Sequence, residues 1–193
     1  MARLFTGLEV PRDVSLALSM KKGGLPGARW IDPENYHVTL RFIGDVPPSI
    51  ASEIAYELGN VAPGGEITVN FLGLGNFGKR PPRTLFAAIG LNDGLARLRA
   101  AHERVAQIVG ISADSRRFTP HVTLARLHNT SQEDLARYLG QTPPLVPLQF
   151  TATRFCLYSA RQSVGGGPYA IEQAYPLGYM DGQEPEIEDF SPF

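Results

Sequence analysis

Apolar and polar residues alternate along RLFTGLEV at residues 3–10, and the same period of two returns in YHVTLRFIG, EITVNFLGLG, TLFAAIG and FTPHVTLARLH. Side chains of a strand point alternately to opposite faces, so each segment predicts a strand with one buried face. Between them the period lengthens. PRDVSLALSMKK predicts a helix opened by Pro11, whose missing N–H is harmless in a first turn. PPSIASEIAYELGNV puts Ile50, Ile54 and Leu58 on one stripe, and GLARLRAAHERVAQIVG does so with Leu95, Leu98 and Val105 before Gly110 stops it. SQEDLARYLG predicts a short helix capped by Ser131. The loop NFGKRPPR interrupts the ladders with its glycine and paired prolines. Two last strands, VPLQFTATRFCLYSA and GPYAIEQAYPL, are predicted around a Gly-rich turn at 165–167.

Laid side by side, residues 1–75 and 83–178 have one order: strand, helix, strand, helix, strand. The second strand of each half begins HVTL, at 37–40 and again at 121–124. The repeat predicts a structural duplication, an α+β bilobal fold with a pseudo-twofold axis. Each lobe would be an antiparallel sheet with two helices, with the active-site cleft between the lobes. A lobe of this size is marginal alone, and pairing supplies a common core. Residues 1–178 are thus expected to form one domain, followed by a mobile tail at 179–193.

Composition narrows this picture. An apolar share of 43% with 19% charged residues is that of a globular protein. No apolar run approaches a membrane span, and the opening MARLFTGLEVPRD lacks a signal-peptide core, so a cytoplasmic location without a membrane partner is expected. Cys156, alone in RFCLY, reads as a small core residue. Five of the 19 acids lie in residues 181–193, which leaves a body with 18 basic against 14 acidic residues. The tail reads as a solubility segment, or more sharply as a competitor for an anionic ligand in a basic cleft.

Alternation puts His37 and Thr39 on one face of their strand and Val38 and Leu40 on the other; His121, Thr123, Val122 and Leu124 repeat this. Two imidazoles converging on one cleft suit general acid–base chemistry, because histidine titrates near neutrality. Threonine hydroxyls can donate to a bound anion, and arginine adds forked charge. The set fits in-line displacement at a phosphodiester, with both proton transfers handled by side chains and no metal. A single strand histidine would read as structural, but two at equivalent positions do not. Without clustered Asp, Glu or Cys they make a poor zinc site. His102, in a charge-rich helix, and His128, in a loop, read as surface residues. Arg126 stands five residues after His121, an odd offset that sends it to the core face unless the strand bulges or ends; Phe42 has the same place in the first half. Arg41 is in phase with His37 and reads as a solvent-exposed strand arginine.

The two HVTL motifs, with ARWIDPENYHVTLRFIGDV, FGKRPPRTLFAAIG, RFTPHVTLAR and LYSA…GGGPYAIEQAYPL around them, resemble the RNA 2′,3′-cyclic phosphodiesterases, or 2′-5′ RNA ligases, of the two-histidine phosphoesterases. The resemblance runs from about Arg3 to Leu177. It implies hydrolysis of a terminal RNA 2′,3′-cyclic phosphate to a 2′-phosphate without metal or cofactor, and ATP-independent 2′-5′ ligation in reverse. It further implies His37 and His121 as the catalytic pair, with Thr39, Thr123 and Arg126 on phosphate. A bulged strand is thereby favoured, and Phe42 is implied as a stacking surface for the terminal base, beside a role in core packing. The repeat is symmetric and does not assign acid and base; His121 is expected to activate water and His37 to protonate the departing 3′-oxygen. The implied partner is RNA with cyclic phosphate ends, tRNA fragments among them, bound by a monomer. A phosphodiesterase for small nucleotide metabolites and a non-catalytic RNA-end binding module are the rival readings. Lys79, Arg80 and Arg83 are candidates for RNA backbone contacts, or a solvated basic loop.

Overall fold

Val38 and Val122, the second residues of the two HVTL motifs, face each other across an antiparallel pair of strands. The computed structural model that places them describes residues 1–62, 64–145, 147–160 and 167–178. Most of the Gly-rich turn expected at 165–167 and the acidic tail at 179–193 therefore lie outside the described residues. The strands are β1 (Ala2–Glu9), β2 (Ala28–Trp30), β3 (His37–Val46), β4 (Ile67–Phe77), β5 (Thr84–Ile89), β6 (His121–Leu127), β7 (Gln149–Ala152), β8 (Arg154–Ala160) and β9 (Tyr169–Pro176). The helices are α1 (Arg12–Ser19), α2 (Pro48–Gly59), α3 (Asp93–Ile108) and α4 (Gln132–Gln141). Among the described residues, the strands form one antiparallel sheet in the order β7-β4-β5-β6-β3-β1-β8-β9, with β2 beside β6.

The expected α+β duplication is present, centred on the valine pair. Only Val38 and Val122 bridge β3 to β6; beyond them β6 takes β2 as its neighbour, from Ala28↔Leu127 to Trp30↔Ala125. With so short a seam the two sides of the sheet can diverge. Val38, Leu40, Val122 and Leu124 are at most 2% exposed within one apolar core. Each such buried side chain contributes about 2 kcal/mol. Helix α3 packs on β3, and α2 packs on α3 and β1, so the helices cover this apolar face.

The order of strands carries one exchange. β4 belongs to the first sequence half but pairs with β5, while β8 of the second half pairs with β1. Each side of the sheet thus contains strands from both halves of the chain. Helix caps follow the sequence: the Ser131 side chain accepts from the Asp134 N–H at 3.0 Å, and that of Asn92 accepts from the Leu95 N–H at 2.9 Å. The segment expected as one strand from 146 to 160 is two, β7 and β8, which pair with different partners, β4 and β1. β2 and the 3-10 turn Pro33–Asn35 were not expected from periodicity; three residues are too few to display a period.

Candidate active site

Two bulges at equivalent residues build the site. In β3, Thr39 lies opposite Gly7 and Arg41 opposite Thr6, so Leu40 is the extra residue. In β6, Thr123 lies opposite Phe86 and Ala125 opposite Leu85, so Leu124 is extra. An extra residue reverses the phase of everything after it. Consequently Leu40 and Arg41 are both buried, as are Leu124 and Ala125, while Phe42 and Arg126 turn to the side of the histidines. This resolves the odd offset of Arg126 in favour of a bulge. It also corrects Arg41, which is not exposed beside His37: it is 6% exposed, and its Nε donates to Glu103 at 2.7 Å.

His37, Thr39, Phe42, His121, Thr123 and Arg126 line one cleft of about 560 Å³. Both imidazoles are held alike. His37 Nδ1 donates to the Asn35 carbonyl at 2.8 Å and His121 Nδ1 to the Thr119 carbonyl at 2.7 Å, each two residues upstream. A carbonyl only accepts, so Nδ1 carries the proton and Nε2 of each neutral ring is an acceptor. Aromatic rings fix the orientation. Phe5, Tyr158 and Tyr169 surround His37 with centroids 4.7, 5.7 and 5.1 Å away, and Phe77 and Phe86 stand 4.8 and 5.1 Å from His121.

These surroundings favour neutral imidazole. Burial pushes His37 down to about 4, with repulsion from His121 and Arg126 in the same direction and the Asn35 carbonyl opposing. His121 is lowered too, by burial first and by Arg126. Arg126 Nη1 donates to Thr84 Oγ1 at 3.2 Å, which aims the guanidinium along β5. Phe42 is 51% exposed, an open aromatic face on the cleft rather than a core residue.

Sequence reasoning missed several lining residues. Arg3, Asn35, Phe77, Thr84, Arg116 and Tyr169 also face the cleft. Most had no local signal; they arrive through long-range pairing. His102 is corrected as well: it is 2% exposed, with Nδ1 2.7 Å from Thr6 Oγ1. It follows Leu98 by four and precedes Val105 by three, so helical spacing placed it on the inward stripe. His128 is exposed and Cys156 buried, as expected. Lys79, Arg80 and Arg83 are exposed.

An antiparallel α+β sheet that brings paired H-x-T strands to one cleft defines a two-histidine phosphoesterase. The chain belongs to the 2′-5′ RNA ligase superfamily, whose family model matches residues 28–163. An RNA 2′,3′-cyclic phosphodiesterase of Geobacillus stearothermophilus is 32% identical, over 94% of this chain and 60% of its own length. One of Aeropyrum pernix is 37% identical over 61% of this chain and 67% of its own. Among solved structures, E. coli LigT complexed with 3′-AMP has a TM-score of 0.77 at 22% identity, covering 92% of this chain and 99% of that one. TT0787 of Thermus thermophilus has the same TM-score of 0.77, with 24% identity, 91% of this chain and 97% of that one. At such identity these two establish the fold alone. Among the described residues, no helix is long and apolar enough to cross a membrane.

Proposed function

We propose that this protein hydrolyses RNA ends carrying a 2′,3′-cyclic phosphate to 2′-phosphates, by acid–base catalysis between His37 and His121. The observation that carries the reading is the pair of imidazoles with identical backbone anchors on one cleft. The naming of its relatives as RNA 2′,3′-cyclic phosphodiesterases supports it. His121 Nε2 takes a proton from water as the water oxygen bonds to phosphorus, and the bond from phosphorus to the 3′-oxygen breaks. His37, charged, gives its Nε2 proton to that oxygen. Thr39 and Thr123 donate to the non-bridging oxygens, and Arg126 offsets their charge.

His37 is neutral in the empty cleft at pH 7, so its acid role depends on the substrate: the phosphate anion draws its pKa upward. With a 5′-hydroxyl in place of water at His121, the same displacement of the 3′-oxygen forms a 2′-5′ linkage at the expense of the cyclic ester, without ATP. Phe42 offers a stacking face to the terminal base, a contact worth about 1 to 3 kcal/mol. We place this work in the cytoplasm, on a monomer, with tRNA fragments among the substrates. The test is 31P NMR of an oligonucleotide 2′,3′-cyclic phosphate incubated with the protein in EDTA. Conversion to a 2′-phosphate monoester supports the reading; an unchanged cyclic resonance rejects it. Turnover of a cyclic mononucleotide alone would favour a small nucleotide substrate.

A further inference from the structure

We propose that Arg116 forms a second phosphate subsite, holding a backbone phosphodiester of the RNA beside the reacting cyclic phosphate. The inference rests on the phosphodiesterase reading above. Arg116 lines the same cleft as the histidines, yet its side chain is 73% exposed. A free arginine there would spread over many rotamers, and ordering it on a ligand would cost entropy. Two side-chain hydrogen bonds to one carboxylate remove much of that freedom, and a third, from the Arg116 backbone, holds the carboxylate in place. Nε and Nη2 donate to the two oxygens of Asp114 at 2.8 and 2.9 Å, and the Arg116 backbone N–H donates to Oδ1 at 3.1 Å.

Asp114 is itself anchored. Its side chain is 14% exposed, Arg99 lies 3.5 Å from Oδ2, and its backbone N–H donates to Glu103 Oε1 at 3.1 Å. Glu103 also accepts from Arg99 and from Arg41, on the strand that carries His37. The guanidinium of Arg116 is thus tied through two carboxylates to the framework of the catalytic pair. Three arginines against two carboxylates leave the cluster with one net positive charge. Arg116 is the member that lines the cleft, so the excess is presented there, with the Nη1 edge turned from Asp114 and available to an anion. Thr39, Thr123 and Arg126 already serve the reacting phosphate. An anchored, exposed arginine at the rim fits the next phosphate of the same polyanion.

The experiment compares kcat/KM for a 2′,3′-cyclic mononucleotide and for a tetranucleotide ending in the same cyclic phosphate, across a salt series. Wild type, Arg116→Ala, Arg116→Lys and Asp114→Asn are used, each checked for folding by thermal melting. In Arg116→Ala the tetranucleotide-to-mononucleotide ratio is expected to fall about tenfold, mostly through KM. The slope of log kcat/KM against log salt for the tetranucleotide should shrink by about 0.7, the value for one phosphate of a single strand. Arg116→Lys should keep the slope and lose part of the ratio. Asp114→Asn, which keeps the arginine's charge but loosens its aim, should do the same. An unchanged ratio or slope in Arg116→Ala overturns the subsite while the phosphodiesterase reading stands. Failure of wild type on both substrates overturns the reading and the subsite together.

Discussion

The two sides of the cleft share a skeleton and differ at its exits. His37 and His121 each donate to a carbonyl two residues upstream, each precede a bulge at the third residue on, and each meet a ring from the strand two places along the sheet, Tyr158 or Phe77, at the register of the fifth residue on. Past the bulge the sides diverge. Phe42 pairs with Phe5 in one, and Arg126 pairs with Thr84 in the other. The first is an apolar corner open to the cleft, with ring centroids 5.8 Å apart; the second is a hydrogen-bonded cation. Duplication therefore supplies two imidazoles of matched geometry, which we propose to be the proton-transfer groups, and divergence at one position after each bulge gives the cleft a polarity that a symmetric pair lacks. On our reading, that polarity orients a substrate with a base at one end and a phosphate at the other.

Breaking the shared part should cost most. His37→Ala or His121→Ala removes one proton transfer, and kcat is expected to fall by about 10³ in steady-state assays. Breaking the divergent part should cost less. Arg126→Ala is expected to lower kcat/KM by about a hundredfold, with only partial rescue by lysine, since the hydrogen bond to Thr84 uses the fork of the guanidinium. Phe42→Ala should raise KM about fivefold with little change in kcat, the signature of lost stacking.

The pH dependence sharpens the comparison through charge. Both imidazoles lie below their ordinary value of 6.5 in the empty cleft, so the singly protonated pair that the proposed mechanism requires grows scarce as pH rises. kcat/KM, which reports the free protein, should already be in decline at pH 6.5 and keep falling above it. kcat should hold to higher pH, because bound phosphate raises the histidine pKa values. Stability moves the other way. His37 and His102, lowered by burial to about 4 and about 3, bind protons more readily when unfolded, so stability is lost as pH falls below 6.5. Burial raises Glu103, but hydrogen bonds from Arg99, the Asp114 backbone and Arg41 outweigh it and hold the group at about 2; its contribution is present above 4.5 and lost toward 2. Thermal melting between pH 7 and 3 should show Tm falling throughout. A Tm that rises on acidification would contradict these assignments.

The smallest functional effect, though not the smallest on stability, is expected where sequence was least informative. Arg41→Met leaves Glu103 without one of its buried partners and should destabilise the fold by about 3 kcal/mol in urea unfolding, with catalysis affected mainly through Arg116.

The histidines and threonines were legible because alternation along a strand is local: HVTL states which two residues share a face. Phe42, Arg41 and Arg126 were not placed by alternation, because a bulge is a property of pairing. Leu40 and Leu124 become extra residues only against β1 and β5. The same displacement sends Arg41 inward to meet a glutamate 62 residues away. His102 was legible and misread: charges around it suggested solvent, while its spacing from Leu98 and Val105 pointed to the core. The exchange of β4 and β8 left no trace in periodicity, since a strand's pattern names its buried face and not its neighbour.

The central claim is that two equivalent histidines share one phosphoryl reaction. An oligonucleotide ending in a 2′,3′-cyclic phosphate, incubated in EDTA with wild type, His37→Ala and His121→Ala and followed by mapping of the product phosphate, tests it most directly. The account predicts a 2′-phosphate from wild type and strong impairment of both variants. No turnover by wild type, a 3′-phosphate product, or full activity in either variant would contradict it.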